Sequence, residues 1–310
     1  MTIRMLHLFK LRQFVKKLFS KTGYLFFIVL VKLFQIMPLS LIYRISDFIF
    51  VLMFYVFSYR KSVIDKNLNR CFPEKSFKEK KQLRKKFYKG LSDLLVETIK
   101  GFTLGEKELL KRYTSKGHEL IAPFFDQGKD VFIISAHFGN WEWGNATIAK
   151  ALKHQTAIFY KPMSNDYLEK YTKERRGRFG GDMLSIYHSM RYLVSKKPKP
   201  VAYFLVADQY PTTKEKQKMV DFFGAKTGFL HGPEDFSRQM GTPVFYMEMR
   251  RLKRGYYCME YFLLTENAKE LPANELTQLY ARHLEDSIRK QPEDWMWSHK
   301  RWKKKLYAFD

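Results

Sequence analysis

Two cysteines in 310 residues are too few for a disulfide framework. Cys71 and Cys258 stand far apart with no metal-ligand spacing, which argues against a structural disulfide or zinc site and for a reducing compartment. Acidic residues are also scarce: 31 Asp+Glu against 56 Lys+Arg leave a formal charge of +25. The expected partners are therefore anionic: nucleic acid, an acidic protein or phosphate-bearing lipid. The chain contains no G-x-G-x-x-G opening a helix, no P-loop, no H-E-x-x-H and no G-x-S-x-G. Phosphate binding on a Gly-rich turn, zincin chemistry and an elbow-borne serine nucleophile thus find no support. Internal repeats and low-complexity segments are missing too, and the one linker-like stretch, "SKKPKP", is short. An apolar share of 45% supplies a sizeable core and argues against disorder.

The N-terminal fifth differs from the remainder. Residues 1–23 hold Arg4, Lys10, Arg12, Lys16, Lys17 and Lys21 and no acid, and they lead into "YLFFIVLVKLFQIMPLSLIY", followed by "SDFIFVLMFYVFS". No small-residue cleavage site follows, so the segment reads as an uncleaved anchor rather than a secretory signal. Each run is marginal against the ~20 apolar residues a bilayer core requires. A single span, a helical hairpin and an in-plane pair all fit, with buried core helices as the bland alternative. The expected division is a basic arm with apolar membrane-anchoring helices over 1–60 and an α/β domain over 61–310.

From Ser76 the pattern becomes that of an ordinary globular domain. Ser76 and Glu79 have capping-box spacing, and Leu83, Phe87, Leu91, Leu94 and Leu95 recur on one helical face. Apolar runs of strand character at 131–136, 155–160, 200–207, 243–250 and 256–264 alternate with helical or irregular segments. That alternation predicts an α/β fold with a central, mostly buried sheet covered by helices.

One stretch carries chemistry: "VFIISAHFGNWEWGNATIAK", residues 131–150. It reads as a buried strand, a turn and a helix with Asn140 as N-cap. His137 then stands at the carboxyl end of a strand, the edge at which open α/β sheets place their sites. Gly139 and Asn140 break the path, so Glu142 falls in the first helical turn, where the macrodipole favours its ionised form. An ionised carboxylate there can hold one imidazole nitrogen protonated while the other accepts a proton. This reading makes His137 a general base oriented by Glu142; the bland one has His137 satisfying a backbone carbonyl. No protein nucleophile accompanies the pair. The other histidines, at 7, 118, 154, 188, 231, 283 and 299, read as structural or surface residues.

"SAHFGNWEWG" is similar to the H-x4-D/E motif of glycerolipid acyltransferases. The whole chain resembles the lauroyl/myristoyl-type late acyltransferases of lipid A assembly. "YKPMSN" (160–165), "ERRGRFGGDML" (174–184), "ADQ" (207–209), "VDFFGAKT" (220–227) and "QPEDWMWSHKRWK" (291–303) follow in family order. The lysine-rich "ADQYPTTKEKQKMV" departs from the Gly or Pro-Gly turn often found in this region. The resemblance implies acyl transfer from acyl carrier protein to a hydroxyl of a lipid A precursor, without acyl-enzyme, metal or other cofactor. It further implies an enzyme on the inner membrane facing the cytoplasm, with catalytic His137 and Glu142. Members of this branch also acylate other glycolipids, which leaves the acceptor open, with another glycolipid or a lysophospholipid as the alternative.

Arg176 and Arg178 match the family's arginine cluster, with Arg175 as a less certain neighbour, and would bind the phosphates of an anionic glycolipid. The alternative for them is a solvated basic face. Asp208, closing "PVAYFLVAD", would hold one of those arginines beside the site or cap the segment after the strand. Phe222, Phe223 and Gly224 would shape a lipid passage. In the tail, Trp295, Trp297 and Trp302 lie among Lys300, Arg301 and Lys303 to Lys305, which suits either a headgroup interface or core packing. A non-catalytic anionic-lipid or nucleic-acid binder is the rival reading from charge and aromatics, but no nucleic-acid motif supports it.

Overall fold

The protein is described by a computed structural model covering residues 3–195, 197–211 and 213–302, with side chains from Ser20 onward except Lys214. The side chains of Arg4 to Lys17 in the basic arm, and Lys303 to Lys305 in the tail, lie outside the described residues.

Eleven α-helices and nine strands are present among the described residues. The helices are α1 (Ile3–Ile36), α2 (Leu39–Val51), α3 (Lys61–Cys71), α4 (Phe77–Gly101), α5 (Glu106–Arg112), α6 (Ala122–Asp126), α7 (Trp141–Ala151), α8 (Asp166–Gly177), α9 (Ser189–Val194), α10 (Gly232–Met240) and α11 (Glu275–Lys290). The strands are β1 (Tyr113–Lys116), β2 (Val131–Ser135), β3 (Gln155–Tyr160), β4 (Asp182–Ser185), β5 (Val201–Val206), β6 (Gln217–Phe222), β7 (Ala225–Leu230), β8 (Val244–Lys253) and β9 (Tyr256–Thr265).

Seven strands form one sheet in the order β1-β9-β8-β2-β5-β3-β4, and β6 and β7 form a separate hairpin. Every pairing in the large sheet is parallel except β8 with β9. The fold is thus α/β with a mixed sheet. Its centre is covered on both faces, as the unbroken apolar runs require. In β2, Phe132 and Ile134 join one core with α3, α4 and α11, while Val131 and Ile133 join a second core with α5, α6 and α7. The five expected strands are all found. β1, β4 and the β6–β7 hairpin were not expected.

The expected helix starts are present with their chemistry. Ser76 and Glu79 close a full capping box at α4, and Asn140 accepts from the Trp143 N–H at α7 (3.0 Å). α11 buries Leu276, Tyr280, Leu284 and Ile288 at helical spacing, as an amphipathic helix does, and its His283 packs on the Tyr246 ring.

The apolar helices lie along the domain. α1 ends before Pro38, and its terminal carbonyls find a donor in Lys100 of α4. The ammonium reaches the carbonyls of Phe34, Gln35 and Met37, each at 2.9 Å, the interaction a helix C-terminus favours. Further back, Tyr24 and Phe27 pack on Tyr167 and Tyr171 of α8. α2 turns a polar edge toward α4, with Ser46 bonded to Asp93 (2.6 Å) and Tyr43 to Glu97 (2.8 Å). Leu39–Val56 is long and apolar enough to cross a membrane. The outer faces leave Phe26, Val29, Ile36, Phe48, Val51 and Phe57 exposed.

Candidate active site

The site grows from a register. In the sheet Ser135 of β2 pairs with Val206 of β5, and the Ala207 N–H continues the ladder to the Ser135 carbonyl (3.0 Å). His137 and Asp208 each stand two residues beyond those paired positions, so the two chain exits set them side by side at the carboxyl edge. His137 Nδ1 lies 2.7 Å from Asp208 Oδ1, and the His137 backbone N–H donates to the same oxygen (3.1 Å). The other carboxylate oxygen accepts from the Trp295 indole N–H (2.8 Å).

This corrects two expectations. The carboxylate that orients His137 is Asp208, not Glu142, and Asp208 holds the imidazole rather than an arginine. The reason is direction. α7 packs against α8, and Glu142 in its first turn meets Arg176, whose Nε and Nη2 donate to its two oxygens at 2.8 and 2.7 Å. β5, by contrast, is hydrogen-bonded to β2 and delivers its next carboxylate directly to the imidazole.

Asp208 is buried. Burial alone would raise its carboxyl, but His137 beside it and the imidazole, indole and backbone N–H donors outweigh that and hold it below the ordinary carboxylate range. An ionised carboxylate only accepts, so the imidazole proton belongs on Nδ1 and Nε2 is left with its lone pair. Nε2 faces the Gln209 amide nitrogen at 3.3 Å, and the Trp141 ring stands edge-on to the imidazole with centroids 5.1 Å apart. The imidazole retains 20% of its side-chain exposure, enough for a hydroxyl to reach it.

The C-terminal segment completes the wall. Phe138 bridges to Trp295, Met296 N–H donates to the His137 carbonyl (3.1 Å), and Gly139 N–H donates to the Asp294 carbonyl (2.9 Å). Gly139 adopts φ +55°, the left-handed conformation glycine accommodates most easily. Trp295 and Trp297 are buried, and Trp302 stacks on Phe222, so core packing describes these tryptophans. Phe222 and Phe223 are buried at the turn of the β6–β7 hairpin, with Phe222 against Trp295.

The arginines stand on the flank of α7, and both have partners within the protein. Burial alone would lower the Arg176 guanidinium, but Glu142 outweighs it and the group is held above its ordinary range. Arg178 donates to the Gly101 and Leu104 carbonyls (2.7 and 2.9 Å) past the end of α4, and burial followed by Arg175 pushes it down to about 10. Arg175 lies over the Tyr171 ring. Among the described residues no group of three or more His, Cys, Asp or Glu side chains could hold a metal ion.

Sequence reasoning passed over Trp295 and Gln209 as site residues. Gln209 was visible as the last residue of "ADQ". Trp295 gave no local signal, because its role depends on a contact 87 positions away in the chain. His299, read as structural, accepts from the Tyr210 N–H (3.1 Å) and so steadies the segment after Asp208 and Gln209.

Comparison with known proteins gives the family. Residues 12–304 match the bacterial lipid A biosynthesis acyltransferases. The chain is 24% identical over 245 residues to a lipid A biosynthesis palmitoleoyltransferase of Escherichia coli K12, covering 79% of each protein. It is 23% identical over 271 residues to a lipid A biosynthesis lauroyltransferase of the same organism, covering 86% of this chain and 87% of that one. A lipid A biosynthesis acyltransferase of Shigella flexneri is 24% identical over 79% of each. A single family match spanning nearly the whole chain, site included, places the protein in the bacterial lipid A biosynthesis acyltransferase family.

Proposed function

We propose that the protein transfers a fatty acyl group from acyl carrier protein to a hydroxyl of a lipid A precursor, with His137 as general base and Asp208 as the carboxylate that orients it. The observation that carries this reading is the His137–Asp208 pair at the carboxyl edge, which leaves the Nε2 lone pair facing the Gln209 N–H₂, a contact that an acceptor hydroxyl would replace. His137 Nε2 takes the hydroxyl proton as the hydroxyl oxygen bonds to the thioester carbonyl carbon. Collapse of the tetrahedral intermediate breaks the C–S bond, and the proton passes from the imidazolium to the departing thiolate. Asp208 stabilises that imidazolium. General-base assistance of this kind contributes about 10²–10⁴-fold. The Gln209 amide, next to Nε2, is the side chain best placed to donate to the developing oxyanion.

Glu142 has a supporting role in this scheme: its pair with Arg176 fixes the first turn of α7 to α8, and with it the helix that follows His137. The substrate-binding part expected of Arg176 and Arg178 would require them to exchange protein partners for phosphate. A groove of about 670 Å³ lined by Phe50, Gln82, Lys85, Lys86 and Lys89 offers an anionic glycolipid both an apolar wall and cations. It shares Arg251 and Asp294 with a small cavity bounded by Gly139, Trp141 and Trp295. The charge of +25 complements an acidic carrier protein.

Residues 1–60 serve as the membrane attachment in this reading, with the site on the cytoplasmic side of the inner membrane. Tyr43 and Ser46 on the inner edge of α2 are bonded to buried carboxylates of α4, and the opposite face is apolar and exposed. That two-sidedness supports helices lying in the bilayer surface rather than crossing it. The test of function is direct. Membranes holding the protein, supplied with labelled acyl-carrier protein and a lipid A precursor, should yield a precursor heavier by one acyl group. Label appearing only in another glycolipid would overturn the acceptor, and transfer from coenzyme A alone would overturn the donor.

A further inference from the structure

Glu97 of α4 is fully buried, and burying a carboxylate is costly unless donors converge on it. Three do. Tyr43 of α2 donates to one oxygen at 2.8 Å, while Asn140 Nδ2 and the Tyr257 hydroxyl of β9 donate to the other at 2.7 and 2.6 Å. The Glu97 backbone carbonyl accepts the Trp143 indole N–H at 2.9 Å. Gly101, one turn further along α4, makes this approach possible, because a Cβ there would lie 2.5 Å from the Trp143 indole nitrogen.

The consequence falls on the His137 loop. Asn140 is held at both ends of its amide: the oxygen caps α7 through the Trp143 N–H, and the nitrogen is fixed to Glu97. Residues 137–140 are therefore pinned at one end by Asp208, Asp294 and Met296, and at the other by Glu97. The same carboxylate receives a hydroxyl from α2, whose outer face is exposed and apolar. We propose that Glu97 is a positioning residue for His137, coupling the seating of the apolar helix α2 to the geometry of the catalytic loop. The proposal rests on His137 being the base.

The test is an exchange of hydrogen-bonding polarity. Glu97→Leu takes away the acceptor of the Asn140 N–H₂, whereas Glu97→Gln alone can keep it by turning its oxygen to Asn140 and its N–H₂ to the Tyr43 hydroxyl, which also accepts. In Glu97→Leu, kcat should fall about 10- to 100-fold with KM within about twofold, the signature of an interaction that serves the transition state. Glu97→Gln combined with Asn140→Asp restores a complementary pair, since the carboxylate introduced at position 140 accepts from the amide introduced at position 97 while still capping Trp143. Its kcat should return to within about threefold of wild type. A second readout does not depend on turnover. Carbethoxylation of His137 by diethyl pyrocarbonate, followed on its own peptide by mass, should be severalfold faster in Glu97→Leu and normal in the double variant.

Full kcat and unchanged His137 reactivity in Glu97→Leu would overturn the proposal, as would a folded double variant no better than Glu97→Leu. Should Glu97→Leu not fold, Tyr43→Phe decides: it removes one donor, and kcat should fall about three- to tenfold, while unchanged turnover overturns the coupling. If His137→Ala were active while reactivity at His137 still followed the exchange, the base assignment would fail and the positioning would stand.

Discussion

Replacing Asp208 by Asn tests how the site is built, because the side chain receives three N–H donors and an amide can serve only some of them. If the Asn oxygen stays on His137, its N–H₂ confronts the Trp295 indole N–H. If it turns the other way, it confronts Nδ1 and favours the tautomer that carries its proton on Nε2, where it cannot act as a base. Either arrangement also removes the charge that stabilises the imidazolium. Two unit charges about 4 Å apart at an effective dielectric near 20 interact by about 4 kcal/mol, and about 1.4 kcal/mol is tenfold in rate. The expected loss in kcat is thus roughly 10³-fold, comparable to the ~10⁴ seen when the aspartate of a serine-protease triad becomes Asn. The unsatisfied buried donor should cost about 1–3 kcal/mol of stability as well. Steady-state transfer of labelled acyl groups from acyl carrier protein, with thermal melting alongside, measures both. A well-folded Asp208→Asn enzyme within tenfold of wild-type kcat would refute the reasoning.

Trp295→Phe keeps the ring but deletes the indole donor to Asp208, so stability should fall by about 1.5–3 kcal/mol, the worth of a hydrogen bond to a charged group; an unchanged melting curve would contradict it. Glu142→Ala leaves Arg176 mostly buried without its carboxylate and should destabilise by about 3–5 kcal/mol. Asp126→Ala, at the exposed pair with Lys153, should cost under ~1 kcal/mol, and equal losses would show that the inner pair is unimportant. Burial raises the Asp294 carboxyl to about 6, so the native state binds this proton more tightly than the unfolded chain. The contribution of Asp294 to stability should therefore decline as pH rises from about 4 to 6 and level off above. Asp294→Asn should remove that contribution, and melting temperatures that change through this window to the same degree in both proteins would argue against it. Phe26→Asp with Phe48→Asp on the outer faces should release the protein from anionic-lipid vesicles; undiminished sedimentation with the vesicles would count against in-plane attachment.

The sequence showed the five central strands because each carries a run of mostly apolar residues: β2, β3, β5 and the first six residues of β8 are largely buried, and residues 256–264 of β9 are apolar but for Glu260. β1 and β4 escaped because "YTSK" and "DMLS" are four-residue edge strands with little apolar content. β6 was hidden in a lysine-rich stretch. His137 was legible from its place at the end of a buried strand, before a helix cap. Its partner was not, because the neighbour in sequence, Glu142, is turned toward α8, while the neighbour in space comes from a register 71 residues away. The pairing of β2 with β5 is a tertiary fact that no local spacing encodes. What the sequence did hold was the equivalence of two short strand exits, "SAH" and "VAD", each placing a polar residue two positions past the last ladder pair.

The proposed acyl transfer depends above all on His137 as its base. A single-turnover reaction of His137→Ala with labelled acyl-carrier protein and saturating lipid A precursor tests that directly. The predicted result is a rate lower by about 10²–10⁴-fold, with melting and membrane binding preserved and no label left on the wild-type enzyme. A His137→Ala protein that transfers the acyl group at close to the wild-type rate, or a labelled wild-type enzyme trapped in mid-reaction, would contradict it.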